Sequence, residues 1–499
     1  MNNRSIEPDN SGVYSFKDSL EGIAVKTAIV AFDPIKKHWL SSDRAQSTSS
    51  IAIPNLDGRL RFDLPSLATV ADDFGHIIKQ IPLAVLQPGS FKDIARIIRY
   101  ANQIGVTVAM RGQGHSAYGQ AQANAGIVID SRFLNTIHFL DSKEVVVDAG
   151  VTLFELLLAT WDRGLTIPVL TDYLGLSVGG LSQVGGIGGH TQHFGSFADT
   201  ILGLEAIAGN GQQIVCSSTQ ETELFNSLLG GLGQFGVVTR VTLPLIPAPT
   251  NARAYHLTYT CLDRYLTDQE RVLKDGRFSF LKGQVVPHHS GSGWTYLLEA
   301  ASYYTPPETP SNEALLDGLS FDGGIDILEF SYFDWQNRLA IAVSELQENG
   351  VWEYPHPWLN LFLPASQVKS YVTPILQTLT ALEVKDPILL YPLRRSKLTR
   401  PFIRTPKEET IYLFSILQTA KPNPEAVDAL LAKNRLWFER GRDIGAKSYP
   451  VNALPFERED WIRHFDDSWE TFAHLKTILD PRKLLAPGQG IFIPEAYSE

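Results

Sequence analysis

Arg111-Gly112-Gln113-Gly114-His115-Ser116 is the stretch on which the reading of this chain turns. An apolar, β-rich run at residues 106–110 leads into it, so the turn closes a predicted strand. Gly112 and Gly114 leave neighbouring backbone N–H groups free to converge on a phosphate. No helix-opening G-x-G-x-x-G follows in a βαβ unit, which excludes the dinucleotide fingerprint, and no G-K-[ST] occurs, which excludes a P-loop. Taken alone the turn is weak evidence. A histidine in a glycine turn is more often a structural hydrogen-bonding residue than a functional one.

On its N-terminal side, the run Leu83-Ala84-Val85-Leu86 stops at Pro88-Gly89 and reads as a short buried strand. Ser90 caps a predicted helix whose apolar stripe is Ile94, Ile97, Ile98 and Ala101, and Gly105 ends it. On the C-terminal side, strands are predicted at residues 126–130 and 144–152 and a helix at 153–163. Residues 175–195 carry eight glycines in 21 positions, a density expected to form neither helix nor central strand. It suits backbone that passes close to a large flat or phosphorylated ligand. A second cluster, Gly230-Gly231-Leu232-Gly233-Gln234-Phe235-Gly236, runs into a strand predicted at 237–245. Pro244, Pro247 and Pro249 then mark a domain boundary. Residues 250–447 mix strand and helix patterns with many aromatics, so the class is α+β.

A length of 499 residues fits two packed domains, and 44% apolar residues fit a globular chain. The net charge of −11 argues against nucleic acid or an anionic membrane as partner. No uncharged apolar run approaches the ~18 residues of a membrane span. Cys216 and Cys261 are too few and too far apart for a disulfide framework or a cysteine metal site, and no metal is expected. The N-terminal MNNRSIEPDNSG lacks the order of a secretory signal. A cytoplasmic location is therefore expected, with the Asn3-Arg4-Ser5 sequon unglycosylated.

RGQGHSAYGQ, TDYLGLSVGG, LLGGLGQFGVVTRVTLPLIPAP, HPWLNLFLP and LLAPGQGIF occur in one order. Together they resemble the corresponding segments of cytokinin dehydrogenases, within the wider vanillyl-alcohol-oxidase and p-cresol-methylhydroxylase (PCMH) type of flavoprotein, over about residues 80–495. The first segment is shared widely among such flavoproteins, whereas TDYL, HPWLN and APGQ are particular to the cytokinin branch. The resemblance implies a two-domain α+β flavoprotein. Residues 1–79 would be an extension and the start of the FAD domain, 80–247 a PCMH-type FAD-binding domain, and 248–447 a substrate-capping α+β domain. Residues 448–499 would return to the FAD domain.

The resemblance also implies site residues. FAD would be bonded covalently through a ring nitrogen of His115, with Gly112, Gln113, Gly114, Ser116 and Gln120 lining its phosphates and ring system. Further FAD contacts would come from Thr171, Asp172, Ser177, Gln183, Ile187, Val238, Tyr449 and Gln489. No cysteine stands where doubly linked relatives carry a second flavin bond. Asp172, a turn residue by local reading, would be the base that takes the amine proton while hydride leaves the adjacent carbon for flavin N5. Trp358, a core residue by local reading, would pack on an adenine-like ring or an isoprenoid tail, and the Asn360 amide would read a ring nitrogen. The reaction implied is oxidative cleavage of N6-isoprenoid adenines to adenine and an aldehyde, with a quinone or oxygen as electron acceptor.

One departure bears on this. Plant members carry a glutamate where Lys282 stands in Phe280-Leu281-Lys282-Gly283. A lysine there either pairs with Asp172 and weakens it as a base, or points away. Glu299 is the next candidate for the base. Two other readings stay open: a related flavin oxidoreductase for an alcohol, sugar or other amine, and a flavin-bearing purine sensor without turnover. The apolar Leu361, Phe362 and Leu363 disfavour a polyhydroxyl substrate, and the presence of both His115 and Asp172 favours turnover.

Overall fold

The computed structural model describes residues 28–45, 49–290, 293–379 and 386–493. The N-terminal segment through residue 27, with its sequon, lies outside the described residues. Residues 28–55 make a small unit of their own, in which Ile29–Asp33 pairs antiparallel with His38–Ser41 and with Ile51–Ala52.

The larger unit is built on three main sheets. The first runs Arg59–Arg61, Ala84–Gln87, Ile127–Asp130, Val108–Arg111, and its last three strands are parallel. Parallel neighbours need a crossover. The helix Phe91–Ile104 supplies it and buries Ile94, Ile97, Ile98 and Ala101, the stripe read from the sequence. Val108–Arg111 delivers the glycine turn at its carboxyl end, the end of a parallel strand where ligands of such sheets bind.

The second sheet is antiparallel, in the order Gln213–Ser217, Gly203–Ile207, Val237–Pro244, Glu144–Asp148, Ile137–Leu140. The helix Leu153–Trp161 follows it, opened by a capping box of Thr152 and Glu155. The glycine-dense segment corrects an expectation here. Val178–Val184 is a helix capped by Ser177, and Thr191–Phe194 adds one further turn. Packing outweighs propensity: a Cβ on Gly179 would lie 2.7 Å from the Ala149 Cβ, so glycine lets this helix lie directly on the backbone beside it.

The third sheet has eight antiparallel strands, Gly324–Ser331, Asn251–Tyr259, Trp294–Tyr304, Phe280–Pro287, Ile388–Arg394, Thr410–Ile416, Leu359–Pro364 and Lys447–Ser448. Helices Leu262–Asp275, Val368–Thr378 and Pro424–Asp443 bury Val272, Val372 and Trp437 in one core with Leu257, Leu298 and Leu390 of the sheet. Alternation sends Leu281 and Leu298 into that core and turns Lys282 and Glu299, which are cross-strand partners, to the opposite face. After Ser448 the chain returns to the first sheet. Val108 N–H donates to the Leu484 carbonyl, and Ala486 N–H donates to the Val108 carbonyl, each at 2.9 Å.

Cys216 and Cys261 are both free. Among the described residues no helix is long and apolar enough to cross a membrane, and no group of His, Cys, Asp and Glu is arranged to hold a metal.

Candidate active site

Gly114 has a φ of +72°, and a Cβ there would collide with the Arg111 guanidinium that the turn folds over. Arg111 in turn donates to the carbonyl of Asp72 at 2.7 Å. The carbonyls of Gly114 and Ser116 accept from Phe74 N–H (2.8 Å) and Gly75 N–H (3.0 Å). Asp73 fastens the far side, accepting from the Ser116 hydroxyl at 2.9 Å and from Gly119 N–H at 2.7 Å. Burial pushes its carboxyl up to about 6 in spite of those bonds. The backbone N–H groups of Gln113, Gly114, His115 and Ser116 have no acceptor among the described residues. Four unpaired donors on one tight turn are the set that an anion such as a pyrophosphate requires, so the turn fits the phosphates of FAD.

His115 lies half-buried among aromatic rings. Its centroid is 4.0 Å from Phe74, 4.9 Å from Tyr173, 5.8 Å from Trp358 and 5.9 Å from Trp352. Neither ring nitrogen has a hydrogen-bond partner among the described residues. Burial, with His356 nearby, pushes the imidazole down to about 3, so it is neutral at physiological pH and keeps a lone pair for bonding to carbon. His356 is fixed by its own backbone N–H to Gly75 O and its Nδ1 to Phe74 O, both 2.9 Å. The Trp358 indole N–H is buried without an acceptor among the described residues, which fits a site where a ligand supplies one.

Asp172 stands next to Tyr173 in the chain, and its side chain is 18% exposed. Lys282 Nζ lies 2.6 Å from one carboxylate oxygen and Arg338 lies 2.6 Å from the other. The lysine therefore pairs and does not point away. Burial pushes the Asp172 carboxyl up, but the two cations outweigh it and hold it well below the usual carboxylate range. Arg338 also reaches Glu299 at 3.4 Å and lies over the Phe280 and Trp335 rings. Glycines make this convergence possible. A Cβ on Gly188 would sit 2.5 Å from the Leu170 carbonyl, and one on Gly189 would overlap the Phe280 ring.

The remaining predicted residues fall into two groups. Gln120 accepts from Tyr118 N–H and donates to Asn452 O, each at 2.7 Å, and so ties the turn to the returning tail. The Ser177 hydroxyl closes off the space beside Gly112, which places the start of Val178–Val184 against the turn. Gln183 accepts from Gly233 N–H at 2.8 Å and joins the two glycine clusters. Thr171 closes its own turn on the Tyr173 carbonyl, and Ile187 and Val238 are buried. Tyr449 is buried, with its hydroxyl facing the backbone of Gly186 and Ile187. Gln489 lies in the turn Pro487–Gln489, whose Gly488 packs on the Gly119 carbonyl. Of these, Ser177 and the turn that carries Gln489 pack against the glycine segment, and Gln120 continues it. Asn360 differs: its amide donates to Val451 O at 3.2 Å and its backbone exchanges bonds with the Asn452 side chain, so its polar groups are engaged within the protein. Sequence reasoning missed Asp73, Trp352 and Arg338. The acidic pair Asp72-Asp73 ahead of Phe74-Gly75 is the one local signal for the first, and none marks the other two.

The sheets, the paired glycine segments and the phosphate-ready turn define a two-domain FAD-dependent oxidoreductase. A family model described as "FAD binding domain" matches residues 82–217, and "Cytokinin dehydrogenase 1, FAD and cytokinin binding" matches residues 287–492. Cytokinin dehydrogenase 2 of Arabidopsis thaliana is 33% identical, aligning 86% of this chain with 92% of its own length. Cytokinin dehydrogenase 1 of Oryza sativa subsp. japonica is 34% identical over 87% of this chain and 92% of its own. An uncharacterized oxidoreductase from the fasciation locus of Rhodococcoides fascians is 38% identical over 85% of this chain and 96% of its own. The chain belongs to the cytokinin dehydrogenase family.

Proposed function

We propose that this protein oxidises N6-isoprenoid adenines at the carbon next to N6, yielding adenine and an aldehyde, on an FAD bonded through His115. One observation carries the reading: Asp172 precedes Tyr173 in the chain, and the Tyr173 ring packs 4.9 Å from His115, so the segment that bears the carboxylate runs past the residue that would hold the flavin. The family membership and the match of residues 287–492 support the substrate class. FAD supplies the two-electron acceptor for the hydride that leaves carbon, and a quinone or oxygen takes the electrons onward.

The protein's own groups do the rest. The unpaired N–H groups of residues 113–116 hold the pyrophosphate. Neutral His115 provides the attachment point. Tyr173, Trp352 and Trp358 wall the space beside it and exclude water from a flat ligand. Asp172 accepts the hydrogen bond from the substrate nitrogen and orients the carbon to be oxidised.

The test is anaerobic mixing of the purified holoprotein with isopentenyladenine while the flavin spectrum is followed. Bleaching of the visible flavin band is the expected result. An unchanged spectrum, together with bleaching by an alcohol or a sugar, would replace this reading with that of a related oxidoreductase.

A further inference from the structure

Two cations on one carboxylate are more than an ion pair needs, and both are nearly out of solvent. Lys282 is 6% exposed and Arg338 has 14% of its side chain exposed. Each takes a different oxygen of Asp172 at 2.6 Å. Both are themselves held in place. Lys282 is locked by register opposite Glu299, and Arg338 is clamped between Glu299 and the Phe280 and Trp335 rings. Gln284 donates to the other oxygen of Glu299 at 3.3 Å. Two acids and two bases thus form a closed, balanced set.

The other titratable groups facing this set do not upset the balance. His190, from the glycine-rich segment, is pushed down to about 4 by burial and stays neutral above that pH. Tyr303, on the strand of Glu299, and Tyr391, on Ile388–Arg394, are pushed well above their ordinary value by burial and stay neutral too.

We infer that Lys282 and Arg338 are positioning residues that keep Asp172 ionised, so that it serves the oxidation as a fixed anion beside the substrate nitrogen and not as a proton acceptor. The inference rests on the amine oxidation proposed above. A general base works best when its pKa lies near the operating pH, and paired cations move a carboxylate away from that range. A carboxylate offers about four lone-pair sites, so two ion pairs still leave room for one substrate N–H.

The chemistry balances without a base. The carbon gives a hydride, with its electron pair, to FAD, and the nitrogen keeps its proton. The substrate becomes an iminium cation whose new charge faces the Asp172 carboxylate. Water then adds to the carbon, the C–N bond breaks, and adenine, aldehyde and one proton leave for solvent.

The experiment uses holoprotein in four forms: wild type, Lys282→Glu, Lys282→Arg and Asp172→Asn. Infrared difference spectra between about pH 5.5 and 8 report protonated carboxyl groups, and anaerobic flavin reduction by isopentenyladenine is measured over the same range. Wild type and Lys282→Arg should show no protonated-carboxyl band that Asp172→Asn removes, and their reduction rates should show no titration step. Lys282→Glu places a like charge beside Asp172. It should gain a carboxyl band, and its reduction rate should change about tenfold across that range. A wild-type band that vanishes in Asp172→Asn overturns the inference, as does a Lys282→Glu pH profile matching wild type. Should Lys282→Glu not fold, the comparison of wild type with Asp172→Asn decides alone. Should isopentenyladenine fail to reduce wild type at any pH, the proposed substrate falls, and the infrared result still stands or falls separately.

Discussion

Asp172 and His115, linked through Tyr173, meet opposite electrostatic demands. Two cations surround the carboxylate and keep it charged, whereas rings surround the imidazole and keep it neutral. Removing the charge while keeping the shape isolates the first demand. Asp172→Asn should slow anaerobic flavin reduction by about 10²–10³-fold, the usual worth of one preorganised electrostatic contact, with the flavin still bound. A rate within a few-fold of wild type would make Asp172 a turn residue and move attention to Glu299. For His115, acid precipitation of the wild type should carry the yellow colour into the pellet, because a covalent bond survives unfolding. His115→Ala should leave the colour in the supernatant. Colour washing free of the wild-type pellet would show that His115 does not bond the cofactor.

Strands and glycine segments bring those residues together, and one tight junction is Gly188-Gly189. It passes between the Leu170 carbonyl, two residues before Asp172, and the ring of Phe280, two residues before Lys282. Leu281 N–H donates to the Gly189 carbonyl at 3.0 Å and sets the height of the Lys282 strand against it. Gly189→Ala would push that strand away at a cost of about 1–3 kcal/mol, the usual range for overpacking. The expected outcome is a lower Tm by scanning calorimetry, together with the infrared carboxyl band expected for Lys282→Glu. An unchanged Tm would mean that Phe280 moves aside freely. Glycine content was legible in the sequence as close approach to something. What it approaches, a carbonyl and a ring, was not, because neither partner is local.

Across the larger unit, buried neutral histidines set the response to acid. Burial pushes His190 and His356 down to about 4 and His464 to about 3, against roughly 6.5 in the unfolded chain. The unfolded chain therefore binds more protons between those values, so stability is lost as pH falls from about 6.5 toward 4. Asp73, raised to about 6, and His76, raised by its hydrogen bond to Asp72, oppose this, but with His115 also lowered to about 3 they are two groups against four. Tm should fall steadily between pH 7 and pH 5. His464→Phe should flatten that fall, since His464 Nε2 has no partner among the described residues and its ring already packs among Trp461, Phe456 and Phe465. A steeper fall in the variant would show that the imidazole makes a contact worth keeping.

The same division runs through the whole chain. The strand-to-turn RGQGHS, the buried stripe of Phe91–Ile104 and the order of flavin segments are legible because each depends on residues within a few positions. The helix Val178–Val184 is not, because contact with Ala149 decides it against glycine propensity. The bond from Ser116 to Asp73 spans 43 positions and that from Arg338 to Asp172 spans 166. For Lys282 the sequence by itself determined only that a cation stands where relatives carry an acid, with its direction open. The tertiary structure alone decided that it meets Asp172, because the charge state of a carboxylate depends on which groups lie within a few ångströms in space, and sheet register and backbone contact set those distances.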